Sequence, residues 1–148
     1  MSKVLRIYSD GGARGNPGPA ATAFLALNEN GELLKAASSY IGIHTNNQAE
    51  YEALIAALEY AANSKAQEVI CHLDSELVAK QLKGEYKVKN PELKKLSAKA
   101  QALIRQFKKA EFINVPRSNI QIQKADALVN KTLDQQATQQ FFLKQTAT

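Results

Sequence analysis

The chain has 148 residues, of which 45% are hydrophobic and 22% charged, with a formal net charge of +5. This length is typical of one domain, so residues 1–148 are expected to form a single domain with its own core. One cysteine excludes an intrachain disulfide, and no apolar stretch is long enough to span a membrane. Because the N-terminus also lacks the apolar core of a secretory signal, we expect a cytoplasmic protein.

The first half of the chain predicts an antiparallel meander of three strands. Apolar residues dominate segments 3–10, 20–28 and 32–43, while segment 11–19 is a loop rich in glycine and proline. Asn30-Gly31 lies between the second and third strands, and this pair is typical of hairpin turns.

The second half predicts strands that alternate with helices, an order that implies parallel pairing. In chain order we expect a helix over 48–63, a strand over 68–73, helices over 75–82 and 91–108, a strand over 112–115 and a helix over 124–140, with a frayed tail over 141–148. The expected architecture is an α/β fold in which two parallel strands join the meander in one mixed sheet flanked by helices.

Basic residues are concentrated in one segment. Residues 83–109 contain nine basic and two acidic side chains, a local net charge of +7. Since the whole chain carries +5, the remainder carries −2, and a polyanion would be drawn to one face. A solvated helix face that keeps the protein soluble explains the same pattern, so charge alone leaves both interpretations open.

Four carboxylates stand at predicted strand or helix edges: Asp10, Glu50, Asp74 and Asp126. Each has an ordinary structural explanation. The first precedes two glycines and fits a turn, and the second follows Asn47 by three residues, as in a capping box. The third fits the N-cap of the helix starting at Ser75, and the fourth fits a first-turn acid that complements a helix dipole.

Taken together, the acids predict a cation site. Asp10 and Asp74 each end a strand, and if these parallel strands are neighbours the two carboxylates meet at the sheet edge where open α/β folds bind ligands. Like charges there would repel unless a cation joined them. Oxygen ligands without a cysteine or histidine set indicate Mg²⁺ or Mn²⁺. Two such ions about 3.5–4 Å apart could clamp the attacking and leaving oxygens of a phosphodiester.

The segments around these acids resemble the type 1 ribonuclease H family, in this order and over nearly the whole chain. They are Tyr8-Ser9-Asp10-Gly11-Gly12, Thr45-Asn46-Asn47-Gln48-Ala49-Glu50, Leu73-Asp74-Ser75 and Ala125-Asp126-Ala127-Leu128-Val129-Asn130. The resemblance implies a ribonuclease H-like fold and hydrolysis of the RNA strand of RNA/DNA hybrids to 5′-phosphate and 3′-hydroxyl ends. It implies two Mg²⁺ ions, with Mn²⁺ as a substitute. The sequence implies neither a membrane nor a protein partner, so we expect a monomer.

The resemblance also implies a role for each acid. Asp10 would bridge both metal ions, while Glu50 and Asp74 would bind the ion on the leaving-group side. Asp126 would bind the ion on the nucleophile side. The only later aspartate, Asp134, lies deep in the last helix and is less suitable.

Substrate contacts are implied around the glycine-rich loop, which otherwise reads as a plain connector. Small residues let a backbone approach a minor groove, where the 2′-hydroxyl distinguishes RNA from DNA. Gly11, Gly12 and Gly15 resemble the family's backbone contacts to RNA, and Asn46 and Asn47 resemble its groove-reading asparagines. Thr45 and Asn47 resemble part of its pocket for a DNA phosphate.

The chain departs from the family pattern in the loop before the last aspartate. Many relatives carry a mobile histidine there, whereas this chain has Arg117, which either binds phosphate or is a solvated charge. Residues 118–123 are expected to extend this loop. Glu76 stands where relatives often have a glutamine that contacts RNA.

The leading hypothesis is a metal-dependent endonuclease acting on the RNA of RNA/DNA hybrids. One alternative is a broader ribonuclease that also cuts double-stranded RNA, and another is a hybrid-binding module without turnover. The complete set of acids disfavours the second alternative.

Overall fold

The computed structural model describes residues 3–146, and within them one five-stranded sheet forms in the order β3-β2-β1-β4-β5. The strands are β1 (Val4–Ala13), β2 (Gly18–Leu27), β3 (Leu33–His44), β4 (Glu68–Leu73) and β5 (Lys109–Asn114). β1, β2 and β3 pair antiparallel, whereas β4 pairs parallel with both β1 and β5. The mixed sheet expected from the sequence is confirmed.

Four helices cover the sheet in the described part of the chain: α1 (Asn46–Asn63), α2 (Glu76–Leu82), α3 (Pro91–Ile104) and α4 (Ile120–Thr146). The first three share one hydrophobic cluster with β1 and β4, and α4 packs on the other face. β2 contributes to both layers, because Phe24 belongs to the first cluster while Ala23 and Leu25 belong to the second. Successive strand residues point to opposite faces, which explains why β2 is largely apolar on both faces.

The last helix begins earlier than the sequence predicts, and the expectation of an extended loop over residues 118–123 is wrong. Asn119 caps the helix, since its Oδ1 accepts hydrogen bonds from the backbone N–H groups of Gln121 (3.0 Å) and Ile122 (3.1 Å). Residues 120–123 therefore form the first turn of α4, which places Asp126 in the second turn.

Other helix and strand ends also differ from those predicted by the sequence. β1 continues through Gly11 and Gly12 because these residues pair with β2, while α3 ends at Ile104 and β5 starts at Lys109. α4 continues to Thr146, beyond the predicted end at residue 140; of the tail expected to fray, residues 147 and 148 lie outside the described part. Within residues 3–146, no helix combines the length and hydropathy needed to cross a bilayer.

Candidate metal centre

Two neighbouring parallel strands bring the first pair of acids together. β1 and β4 are in register up to the pair Tyr8 and His72. Asp10 and Asp74 each follow two residues later, Asp10 within β1 and Asp74 just after β4 ends. The register therefore places both carboxylates at the same edge of the sheet, as the sequence predicts, although β1 continues past Asp10 to Ala13.

Helix α1 adds the third acid. Oxygen atoms of Asp10, Glu50 and Asp74 all lie within 4.8 Å of one another. Glu50 is 5% exposed and Asp10 is 6% exposed, and the side chain of Asp74 is 13% exposed. Three carboxylates this close and this poorly hydrated repel one another when ionised, which is the arrangement that a cation stabilises.

The capping explanations for two of these acids are wrong. The N-cap of α1 is Thr45, which forms a capping box with Gln48, so Glu50 has no part in it. The N-cap of α2 is Ser75, whose Oγ accepts from the backbone N–H of Val78 at 3.2 Å. Glu50 and Asp74 are therefore not required to cap helices.

Close packing of α1 against β1 delivers Glu50 to the site. A Cβ atom on Gly11 would lie 2.1 Å from the carbonyl oxygen of Ala49, so only glycine permits this approach. The backbone N–H of Gly11 donates to Glu50 Oε1 at 3.4 Å. Gly11 thus has a packing function, whereas the sequence pattern assigned it to RNA contact alone.

The second carboxylate oxygen of Glu50 lacks a partner. Oε2 is buried, and no hydrogen-bond donor within residues 3–146 reaches it. A buried unsatisfied carboxylate oxygen is costly in a folded protein and calls for an unseen ligand. Because Glu50 belongs to a cluster of carboxylates, a cation is the ligand whose charge fits.

Burial and mutual repulsion favour the protonated acids in this cluster. The pKa of Asp10 is raised to about 7, first by burial and then by the charges of Asp74 and Asp126. The pKa of Glu50 is raised well above its ordinary value by burial, then by Asp10 and Asp74. Burial also raises the pKa of Asp74, although the charge of Arg117 opposes this. The site therefore holds protons that a bound cation would displace.

The fourth acid approaches from the opposite layer. Asp126 lies on α4, exposed to solvent, and raises the pKa of Asp10 through its charge and a hydrogen bond. It borders the same cleft but lies outside the compact group of three. Asp134 is turned away to Arg14, with 2.7 Å between its Oδ1 and the guanidinium Nη2.

These acids surround an open cleft of about 360 Å³. Arg117 borders it, with Nε 3.7 Å from Asp74 Oδ2 and a side chain that is 93% exposed. Of the residues assigned to substrate contacts, those lining the cleft are Gly11, Gly12, Asn46 and Arg117. Lining residues that the sequence patterns did not identify are Ser75, Ile122 and Gln123. An N-cap at Asn119, recognised from the sequence, would have placed Ile122 and Gln123 in the first turn of α4.

The remaining substrate candidates shape the rim. Asn46 fixes the loop, since its Oδ1 accepts from the N–H of Ala13 at 3.2 Å and its own N–H donates to Asn16 Oδ1 at 3.0 Å. Gly15 has φ +108°, a conformation that favours glycine. Thr45 is the N-cap of α1, and Asn47 is half-buried in its first turn.

Comparison with known proteins identifies relatives over most of this chain. Residues 8–132 match the reverse transcriptase-like family. The chain is 42% identical over 130 residues to a ribonuclease HI of Halobacterium salinarum, covering 88% of this chain and 64% of that protein. It is 43% identical over 129 residues to a bifunctional protein of Mycobacterium tuberculosis, covering 86% of this chain and 35% of that protein. The chain thus spans less than two thirds of these relatives' length.

Solved structures share the fold. The ribonuclease H1 of Halobacterium salinarum has a TM-score of 0.86 at 40% identity, covering 89% of this chain and 98% of that one. The N-terminal ribonuclease H domain of the Mycobacterium tuberculosis protein has a TM-score of 0.88 at 40% identity, with coverages of 93% and 99%. A ribonuclease H1 called LC11, solved in complex with an RNA/DNA hybrid, has a TM-score of 0.83 at 41% identity, with coverages of 90% and 99%. The chain belongs to the type 1 ribonuclease H family.

Proposed function

We propose that this chain is a metal-dependent endoribonuclease that hydrolyses the RNA strand of RNA/DNA hybrids, leaving 5′-phosphate and 3′-hydroxyl ends. The observation that carries the proposal is the cluster of Asp10, Glu50 and Asp74, whose oxygens lie within 4.8 Å of one another. Relatives named ribonuclease H and a related structure solved with a hybrid support the substrate. The proposal takes residues 1–148 as one catalytic domain.

The residues present fit two Mg²⁺ ions, or Mn²⁺ as a substitute. The donors are carboxylate oxygens, which hard cations prefer, and the buried Oε2 of Glu50 lacks another partner in residues 3–146. Asp10, between the other acids, would contact both ions. Glu50 and Asp74 would hold the ion on the leaving-group side, and Asp126 the ion on the nucleophile side. When bound, such ions supply charge neutralisation for the phosphodiester and lower the pKa of a coordinated water.

The protein's own residues would position the hybrid around this centre. Gly12 and Asn46 line the cleft, and their placement lets the backbone approach a groove that carries 2′-hydroxyl groups. Arg117 is exposed at the cleft edge and is free to turn from Asp74 to a phosphate. Glu76 instead pairs with Lys80 at 2.8 Å, so it would not replace the glutamine contact of relatives.

The basic segment supplies a second contact region. Its lysines lie on the connector after α2 and along α3, where Lys87, Lys89, Lys94 and Lys95 are exposed. Their positive charge suits the phosphates of a hybrid that extends beyond the cleft, and such contacts make binding dependent on salt. A solvated face without this function would give no salt dependence of its own.

A digestion panel tests the proposal. RNA/DNA hybrid, double-stranded RNA, single-stranded RNA and duplex DNA would each be incubated with Mg²⁺, with Mn²⁺ and with excess chelator, using Asp10→Asn as the inactive control. We expect cleavage of the hybrid's RNA strand, intact duplex DNA and loss of activity in chelator. Equal cleavage of double-stranded RNA would favour the broader ribonuclease, and tight hybrid binding without turnover would favour the binding module. Undiminished cleavage in chelator would exclude the metal-dependent mechanism.

A further inference from the structure

Asp126 differs from the other three acids because burial does not hold it in place. It is exposed on α4, and a side chain in that environment can adopt several rotamers. Its neighbour one turn on, Asn130, donates from Nδ2 to Asp126 Oδ2 at 3.3 Å and to its carbonyl oxygen at 3.1 Å. Together with the interaction with Asp10, this contact holds the carboxylate in the structure.

Asn130 is in turn oriented by Arg14, which directly follows the last residue of β1. Arg14 Nη2 lies 3.4 Å from both the Oδ1 and the carbonyl oxygen of Asn130, and 2.7 Å from Asp134 Oδ1. A guanidinium has only donors, so the carboxamide must turn its oxygen toward Arg14. Its NH₂ group then faces Asp126. Arg14 thereby selects the amide orientation that holds the metal-ligand candidate.

The main chain of Arg14 is fixed, so the guanidinium has a defined origin. Its N–H donates to the carbonyl oxygen of Pro19 at 2.8 Å, and its own carbonyl would lie 2.2 Å from a Cβ on Gly18. Arg14 also follows Asp10 by four residues on the same segment. The contact between Arg14 and α4 therefore ties the strand that carries one acid to the helix that carries another.

We propose that Arg14, acting through Asn130, is a positioning residue that orients Asp126 for the cation on its side of the cleft. The proposal rests on the function proposed above. The ion pair between Arg14 and Asp134 is exposed, with side chains 43% and 69% accessible, and such pairs contribute little to stability. Its value therefore lies in geometry, and removing it should leave the fold intact.

The test compares Arg14→Met, Asn130→Leu and their double variant with the parent. Residues that orient a metal ligand typically change affinity or activity by 10–100-fold, and because this contact is exposed we expect the lower end, about tenfold. The Mg²⁺ concentration giving half-maximal cleavage should rise and kcat should fall, while the hybrid KM stays close to that of the parent. Calorimetric titration of the hybrid-free protein with Mn²⁺ should show weakened binding. The double variant should be no worse than the more affected single variant.

Two further variants test whether the effect is specific to Arg14 as a hydrogen-bond donor. Arg14→Lys keeps a donor for Asn130 and should recover most of the loss, whereas Arg6→Met removes an exposed arginine of β1 as a matched control. Parent-like Mn²⁺ affinity and kcat in Arg14→Met would overturn the proposal, and so would a raised hybrid KM alone, which indicates direct phosphate binding. Asp126→Asn is measured in parallel. If it also keeps parent affinity and activity, the proposed function itself fails at that residue; if only Arg14→Met is silent, the positioning role alone fails.

Discussion

Replacing Asp10 by asparagine is expected to stabilise the metal-free protein at neutral and alkaline pH while ending hybrid cleavage. The Asp10 carboxylate is 6% exposed, and its pKa is raised to about 7 by burial and by the charges of Asp74 and Asp126. An amide has the same shape but no charge to bury or repel. It also cannot hold two cations, so turnover should be lost without unfolding.

The magnitude follows from the pKa. Raising a pKa from the ordinary 3.8 to about 7 corresponds to about 4 kcal/mol that ionisation of Asp10 costs the folded state at pH 8. The folded-state pKa of Asp10 lies above its unfolded-state pKa, so the protonated side chain stabilises the folded parent. This contribution is complete below pH 3.8 and is lost as the pH rises through about 7. At pH 5 the cost falls to about 2 kcal/mol. Because the amide must also be desolvated, we expect a measured gain of about 1–3 kcal/mol at pH 8.

The assay is urea-induced unfolding in chelator at pH 8 and pH 5. Glu59→Gln is the matched control, because it removes an exposed carboxylate from α1. Asp10→Asn should exceed the parent at pH 8, by less at pH 5, and the control should change neither value. Saturating Mg²⁺ should reduce or reverse the difference, because only the parent gains stability from metal binding. An Asp10→Asn protein that is no more stable than the parent at pH 8, or equally stabilised at both pH values, would refute the reasoning.

Three other predictions concern the packing beside the site, the last metal ligand and the basic segment. Gly11→Ala should destabilise the protein by about 3 kcal/mol or more, because its Cβ would meet the Ala49 carbonyl at 2.1 Å. In the control Gly12→Ala the nearest neighbour of the new Cβ is 3.5 Å away, so this variant should unfold at a urea concentration closer to that of the parent. Equal losses of stability in the two variants would contradict the packing explanation for Gly11. In steady-state kinetics, Asp126→Asn should lose most hybrid cleavage and Asp134→Asn much less, since Asp134 lies about 12 Å farther along the helix. The reverse ranking would show that the last metal ligand is misassigned. Reversing the charge of four exposed lysines should weaken hybrid binding and lower the log–log salt slope by about one per lost phosphate contact, whereas an unchanged slope would mean that the basic segment takes no part. These lysines are Lys87, Lys89, Lys94 and Lys95.

The sheet and the meeting of Asp10 with Asp74 were predictable because their signals are local, whereas Glu50 was assigned to the site only by the family resemblance. Apolar runs and the Asn30-Gly31 turn define the strands, and an acid directly after a parallel strand falls at the ligand-binding edge of the sheet. The cap of α1 was ambiguous in the sequence, since two capping-box patterns overlap at its start. Asn47-x-x-Glu50 and Thr45-x-x-Gln48 both satisfy the capping-box spacing, and the structure uses the second. That choice leaves Glu50 available for the cleft.

The start of α4 was mispredicted although a signal existed. Asn119 is a favourable N-cap, and Ile120 and Ile122 follow it, but the interval of nine residues from Arg117 to Asp126, longer than is common in the family, suggested an extended loop. The contact of Arg14 with α4 could not be predicted in the same way. It joins exposed residues 116 positions apart, and no local pattern encodes such a pair.

The acids of the candidate centre are positioned in two ways, which differ in what they cost the folded protein. Asp10 and Glu50 are held by burial, which fixes their positions rigidly but makes their charges costly until a cation arrives. Asp126 is exposed, so its charge costs little, but its orientation depends on the contact through Asn130 and Arg14. Loss of a buried acid should therefore change stability and metal binding together. Loss of the exposed contact should change metal binding with little effect on stability, which distinguishes the two ways of positioning by experiment.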